Sequence, residues 1–360
     1  MQMEQNNSRP ANGLISRGET PLNLEMPFSS LDQFVTPNEQ FYVRCHFPIP
    51  EIDDAAWRLK IEGAVESPAE WSLADLRQMA NHTIPATMEC AGNGRSFLEP
   101  KVKGVEWDLG AVGNAEWTGV WLRDVLARAG AKGDAIEVIL EGADKGPIKE
   151  PPRPPGEIRY ARSVPVAKAR GDVLLAFAMN GEPLTPAHGF PLRAVVPGWF
   201  GMASVKWLER VIVTSVPFNG YYQSIDYTYW EQRNGLPTLV PLAEMRVKAQ
   251  IARPHIGEIV AADAEYRIHG AAWGGESDVA KVEVSDDDGA SWHPAALLSE
   301  PVKNAWRFWE FRWNTPAHSG DYTLIARATD SVGTTQPSRR VAEYGSYMIN
   351  HLLPIRVQVR

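Results

Sequence analysis

Two cysteines, Cys45 and Cys90, are all the thiol chemistry this 360-residue chain has. A zinc site built from four cysteines or an iron–sulfur cluster needs more, and no C-x-x-C-H offers covalent attachment to haem, so neither haem nor an iron–sulfur cluster is expected. No histidine follows Cys90 at short range, which speaks against a blue-copper centre. Long apolar runs are missing, so no membrane span is expected. An excess of positive charge is missing as well: the net charge of −8 leaves no basic stripe for nucleic acid. Neither G-x-x-x-x-G-K-[ST] nor G-x-G-x-x-G occurs, which removes the usual phosphate loops, and no G-x-S-x-G elbow marks a serine hydrolase. The opening MQMEQNNSRPANGLISRGE has no apolar core of the signal-peptide kind. It reads as the start of a cytoplasmic chain, or of a periplasmic one from which a signal has been removed. The same reading favours reduced thiols over a Cys45–Cys90 disulfide.

What is present divides the chain. Its length exceeds one ordinary core, so two domains are expected. Residues 1–40, with Pro10, Pro21, Pro27 and Pro37, read as an irregular arm. Residues 41–240 mix strands (FYVRCHFPI, WRLKIEGAV) with short helices, one capped by Ser72 and one closing on Gly130, so this part reads as mixed α+β. Asn180-Gly181 between apolar runs marks a hairpin, and the proline-rich stretch around 146–158 reads as a surface loop. Residues 243–360 carry short alternating strands such as AEYRIHGAAW, RFWEFRW and LLPIRVQVR, the pattern of an immunoglobulin-like β-sandwich. No catalytic grouping stands out there; packing, subunit pairing or binding are its expected roles.

One stretch calls for chemistry. In TMECAGNGRSF, Cys90 ends an apolar β-type run and meets a loop of Gly92, Asn93, Gly94 and Arg95. Cations and backbone N–H groups near a thiol favour the thiolate, the form that attacks or binds metal. Arg44, His46, Asp144, His188, Arg193, Lys206 and Tyr227 sit at the ends of other elements. Taken singly, each is an ordinary surface or hydrogen-bonded residue. Together, several cations beside one thiolate candidate point to an anionic ligand, since guanidinium forks match oxyanions. From the residues alone, this is a cysteine-centred, anion-handling site.

YVRCH, ECAGNGR, the block MNGEPLTPAHGFPLRAVVPGWFGMASVKWLERV and SDDDGASW resemble the sulfite oxidase family of molybdenum enzymes, from about residue 38 to the carboxyl end. The resemblance implies an α+β molybdopterin-binding domain followed by an immunoglobulin-like dimerisation domain, a homodimer, a small oxyanion substrate, and a separate electron acceptor such as a cytochrome. It implies that Cys90 is the protein's sulfur ligand to molybdenum and that the loop glycines let the cofactor approach the backbone. It places Tyr42, Val43, Arg44, Cys45 and His46 at the pterin and its phosphate, together with Asp144, His188, Arg193, Ser204, Val205 and Lys206. Arg44, Arg95, Trp107 and Tyr227 fall where the family lines its oxyanion pocket. Four departures are visible: Cys45 for the usual Asn, Gly94-Arg95 for a double arginine, Ser204 for a histidine, and EYGSYMINH without the arginine that eukaryotic sulfite oxidases carry there. Sulfite oxidation is the activity implied. Nitrate reduction or dehydrogenation of another sulfur compound on the same cofactor is the alternative, and a cofactor-free immunoglobulin-like binding protein is the reading from another class.

Overall fold

A computed structural model describes residues 13–360. The part of the expected N-terminal arm that lies within them is not irregular throughout. Ile15–Glu19 and Leu22–Glu25 form an antiparallel hairpin, extended by Val43–Arg44 into a three-stranded sheet. Pro21 sits in the turn and Pro27 and Pro37 just outside short 3₁₀ turns, so the prolines punctuate the arm without interrupting a strand. FYVRCHFPI is extended only over Val43–Arg44, because Pro48 and Pro50 cannot donate to a ladder.

Two five-stranded sheets follow. One runs Ala69–Trp71, Leu59–Gly63, Leu208–Thr214, Glu137–Pro147, Glu157–Pro165, with a parallel pair at its centre. The proline-rich stretch is the exposed loop joining its last two strands. The other pairs His82–Glu89 with Val112–Trp121, which pairs with Leu174–Met179. The latter turns at Asn180 (φ 53°) and Gly181 (φ 80°), backbone that favours these two residue types. Helix Leu73–Arg77 is capped by Ser72, whose hydroxyl accepts from the Asp75 amide while the Asp75 side chain bonds back. Helix Leu122–Ala129 ends on Gly130 at φ 67°.

From Lys248 the chain forms a two-sheet β-sandwich. Lys248–Arg253, Glu265–Trp273, Arg307–Asn314 and Ala296–Leu297 make one sheet, and Val279–Ser285, Gly320–Asp330 and Ile355–Val359 are the centre of the other. Ile268, Val282, Leu324, Val357, Trp309 and Trp313 fill the space between them. The architecture is therefore mixed α+β followed by an immunoglobulin-like sandwich. Among the described residues, no helix is long and apolar enough to cross a membrane.

Candidate active site

The cysteine strand, His82–Glu89, alternates as a strand must. Ala86, Met88 and then Cys90 fall on one side, packed with Phe41 and Tyr42. The Cys90 amide donates to Ala111 O (2.9 Å), and the chain turns so that the Asn93 amide donates to Cys90 O (2.8 Å) and the Gly94 amide to Asp108 O (2.6 Å). Cys90 and Cys45 are both free thiols. Two glycines of this region have a visible use inside the protein. A Cβ on Gly92 would stand 2.3 Å from Arg95 Nη2, and one on Gly104 2.6 Å from Arg95 Nη1. Gly92 and Gly104 thus make room for the Arg95 guanidinium, while a Cβ on Gly94 (φ 92°) would stand 3.2 Å from Ile349 Cγ2.

Cys90 opens onto a cavity. Tyr42, Arg44 and His46 line it from the segment after the 3₁₀ turn Asn38–Gln40, Asp144 and Tyr160 from the long hairpin, and His188, Arg193 and Lys206 from the conspicuous block. Tyr227 closes the remaining side. The lining holds three cations and one carboxylate. Arg193 is buried, with Nη1 donating to His188 O (3.0 Å), Nη2 to Ser204 O and Met88 Sδ (both 3.2 Å), and its plane over the Trp117 ring. Lys206 Nζ donates to Ala187 O (2.8 Å) and lies 3.4 Å from Cys45 Sγ. Arg44 bonds Asn23 Oδ1 and Cys45 O. These partners are carbonyl oxygens, an amide and sulfur, not carboxylates.

The electrostatic consequence is visible in the titration of these groups. Burial pulls Arg193 down to about 10 and lowers Lys206 as well, the mark of desolvated cations that an anion would stabilise. Burial, then the charges of Arg44 and Lys206, holds His46 far below its usual value, so it is neutral at pH 7. His46 Nε2 and the Tyr227 hydroxyl share a 2.6 Å hydrogen bond. Burial also raises Tyr227, keeping its phenol protonated. Asp144 is pushed up to about 6 by burial, and its Oδ1 has no hydrogen-bond partner.

Six of the sequence-predicted residues stay out of the cavity wall. Val43 and Val205 turn their side chains into the core. Cys45 (1% exposed) touches the site through Lys206 at its sulfur and Arg44 at its carbonyl oxygen, and Ser204 braces the Val196 amide through Oγ (3.0 Å). Trp107 is fully buried, with an unpartnered Nε1. Arg95 donates to Val105 O (2.7 Å) and Ser346 O (3.1 Å) and packs 5.3 Å from the Tyr347 ring centre, so its charge is already engaged. Conversely, sequence reasoning missed Phe41, Met88, Tyr160, Met202 and Trp207 in the wall. Only Met88 had a usable signal, standing two positions before Cys90 on a strand of period two.

These residues fit a molybdopterin. Asp144 Oδ1 is an orphaned acceptor suited to a pterin N–H, Arg193 and Lys206 suit its phosphate, and Cys90 offers a soft thiolate to the metal. Gly201 marks close quarters beside them, since a Cβ there would stand 2.5 Å from the Tyr42 hydroxyl. Among the described residues no three His, Cys, Asp or Glu side chains form a metal cage of their own.

The chain is similar to known proteins over nearly its whole length. A family model described as the oxidoreductase molybdopterin binding domain matches residues 46–222, and one described as the Mo-co oxidoreductase dimerisation domain matches residues 240–360. The chain is 36% identical to the mitochondrial sulfite oxidase of Drosophila melanogaster, over 89% of this chain and 58% of that protein. It is 35% identical to the sulfite oxidase of Gallus gallus, over 90% of this chain and 73% of that one. The chain thus spans about three fifths of the mitochondrial relatives' length. Among solved structures, the sulfane dehydrogenase SoxCD of Paracoccus pantotrophus superposes with a TM-score of 0.81 at 26% identity, covering 99% of this chain and 87% of that one.

Proposed function

Since the chain belongs to the sulfite oxidase family of molybdopterin-dependent oxidoreductases, we propose that it oxidises a small sulfur oxyanion, sulfite in the first instance, and passes the electrons to a separate acceptor. One observation carries the reading: a thiol at a strand end opens onto a cavity whose three cations bond carbonyl oxygens, an amide oxygen and sulfur. When bound, the molybdenum cofactor supplies the two-electron redox change and the oxygen exchange. The chain's own residues supply the rest. Cys90 would hold the metal, Asp144 Oδ1 would accept from the pterin, and Arg193 with Lys206 would hold the phosphate. Arg44 would steer and orient the substrate anion. Neutral His46 and the protonated Tyr227 phenol share one proton along their 2.6 Å bond, which gives the pocket a hydrogen-bond donor without adding charge. In this reading residues 41–240 hold the cofactor, and residues 243–360 pair two copies.

A second reading rests on Arg95. With that cation tied to carbonyl oxygens and Tyr347 packed against it, the pocket is less positive than a dianion clamp with two arginines. This favours a less charged sulfur compound, in line with the name of the structural relative. The deciding experiment is elemental analysis followed by sulfite-dependent reduction of a soluble one-electron acceptor. About one molybdenum per chain with sulfite turnover supports the first reading. A full molybdenum load with no response to sulfite transfers the assignment to the second.

A further inference from the structure

The strand that delivers Cys90 has two faces, and the second is held by the sandwich. Even-numbered Met88 and Cys90 line the cavity. Odd-numbered Thr87, Glu89, Ala91, Asn93 and Arg95 each bond a residue from beyond position 247. Thr87 receives the Trp306 amide on its hydroxyl (2.8 Å) and gives its own amide to Asn304 O (2.8 Å). Ala91 O accepts the Met348 amide (2.8 Å), and Arg95 Nε donates to Ser346 O. The centre of this row is charged. Glu89, adjacent to Cys90, takes Lys248 Nζ on Oε1 (2.9 Å) and Trp273 Nε1 on Oε2 (2.9 Å). Lys248 also reaches Asn93 O (3.3 Å), while Asn93 Nδ2 donates to both Glu89 Oε1 (3.1 Å) and Gln250 Oε1 (3.2 Å). Both members of the ion pair are almost wholly buried, with side chains 2% and 3% exposed.

We infer that the sandwich is part of the metal site: Lys248, with Trp273 and Gln250, is a positioning residue that fixes the Cys90 thiolate by clamping Glu89 and Asn93 on either side of it. The inference rests on the reading of Cys90 as the ligand. Its physical basis is the cost of leaving one half of a buried pair uncompensated. If Lys248 is removed, the buried Glu89 carboxylate loses its counter-charge, which favours openings of the loop that bring it to water. A ligand held at both flanks is preorganised; one held at neither samples several positions.

The test uses the full chain in a Cys45→Ser background, so that one thiol remains. In cofactor-free protein, the rate of Cys90 alkylation by iodoacetamide reports loop opening. Lys248→Met should raise it by about tenfold or more, and Trp273→Phe, which loses a single N–H donor, by about threefold. Trp309→Phe, in the sandwich core away from the loop, should leave the rate unchanged even where it lowers the melting temperature. The double variant Glu89→Gln/Lys248→Met, which leaves no orphaned charge, should recover to within about threefold of the parent. In loaded enzyme, Lys248→Met should shift the thiolate-to-metal absorption band and lower kcat with KM little changed. Alkylation rates and band positions equal to the parent in Lys248→Met, or in Trp273→Phe should the lysine variant fail to fold, overturn the inference. A band that ignores Cys90→Ser while alkylation still responds to Lys248 removes the ligand reading and leaves the clamp in force.

Discussion

The two thiols show how much a single residue's surroundings decide. Cys90 faces the cavity; Cys45 lies beneath its wall, touching Lys206. On the proposed assignment of Cys90 as the metal ligand, Cys90→Ser should cost at least about 100-fold in turnover, since a hard hydroxyl would replace a soft thiolate. Cys45→Ser should keep its molybdenum and stay within about threefold, as elemental analysis and steady-state kinetics will show. Arg44 is the cavity's cation beside Tyr227. Arg44→Gln should lower kcat/KM by about 10- to 150-fold, chiefly through KM, as one charge-assisted contact is lost. Arg95 was as legible in the sequence as Arg44, yet its use was not: only the fold shows that Gly92 and Gly104 seat its guanidinium against carbonyl oxygens. The site also sets an acid response. His46 and His188, the latter lowered to about 3, stay neutral when folded. Below about pH 6.5 the unfolded chain binds protons that these folded histidines refuse, so each subtracts stability as pH falls, by up to about 1.4 kcal/mol per pH unit. Glu25, raised to about 7 by burial, and Asp144, raised to about 6, act in the opposite sense, gaining stability as pH falls toward their unfolded values of 4.5 and 3.8. His351, lowered to about 4, and His269, also lowered, both chiefly by burial, add to the histidine loss, so the melting temperature of cofactor-free protein should decline from pH 6.5 to 4.5, with Glu25 and Asp144 offsetting part of the fall. In Glu25→Gln the decline over that range should be steeper; an unchanged profile would refute the offset.

At the scale of elements, local signals were read well and distant pairings were not. Ser72, Gly130 and Asn180-Gly181 stand where the caps and the hairpin need them, because each acts through its own few neighbours. The parallel pairing of Leu59–Gly63 with Leu208–Thr214 joins segments with no shared sequence signal, so neither the sheet order nor Tyr160's place in the cavity could be read from spacing. The N-terminal hairpin was hidden by prolines that fall in its turns. Two glycines separate local from distant demands. Gly181 (φ 80°) has nothing within 4 Å of a Cβ, whereas a Cβ on Gly63 (φ 86°) would stand 2.2 Å from Val213 O. Gly181→Ala should cost about 1 kcal/mol of left-handed strain. Gly63→Ala should cost at least about 3 kcal/mol, since the parallel strand must also move. Chemical denaturation of both variants will show whether that ranking holds.

The molecule as a whole is expected to work as a pair of chains. The sandwich matches a dimerisation domain, and closed twofold pairing is the commonest arrangement. Light scattering at micromolar concentration should give twice the chain mass of 39.9 kDa, and a monomer would remove the expectation. The sequence suggested the sandwich and its alternating strands, but nothing in it showed Lys248 reaching Glu89, because a lysine inside a strand reads as solvent-facing until its buried partner is in place.

The row of bonds along the odd face of the cysteine strand also has a schedule. Arg95 and Ser346 are 251 positions apart in the chain. A ribosome adding roughly 5–20 residues per second takes about 13–50 s to cover that distance. For that interval the nascent strand carries its thiol with its sandwich partners still unmade. If Cys90 is the metal ligand proposed above, the loop that holds it gains its full set of bonds only once the sandwich residues exist, and not with the synthesis of the domain that receives the cofactor.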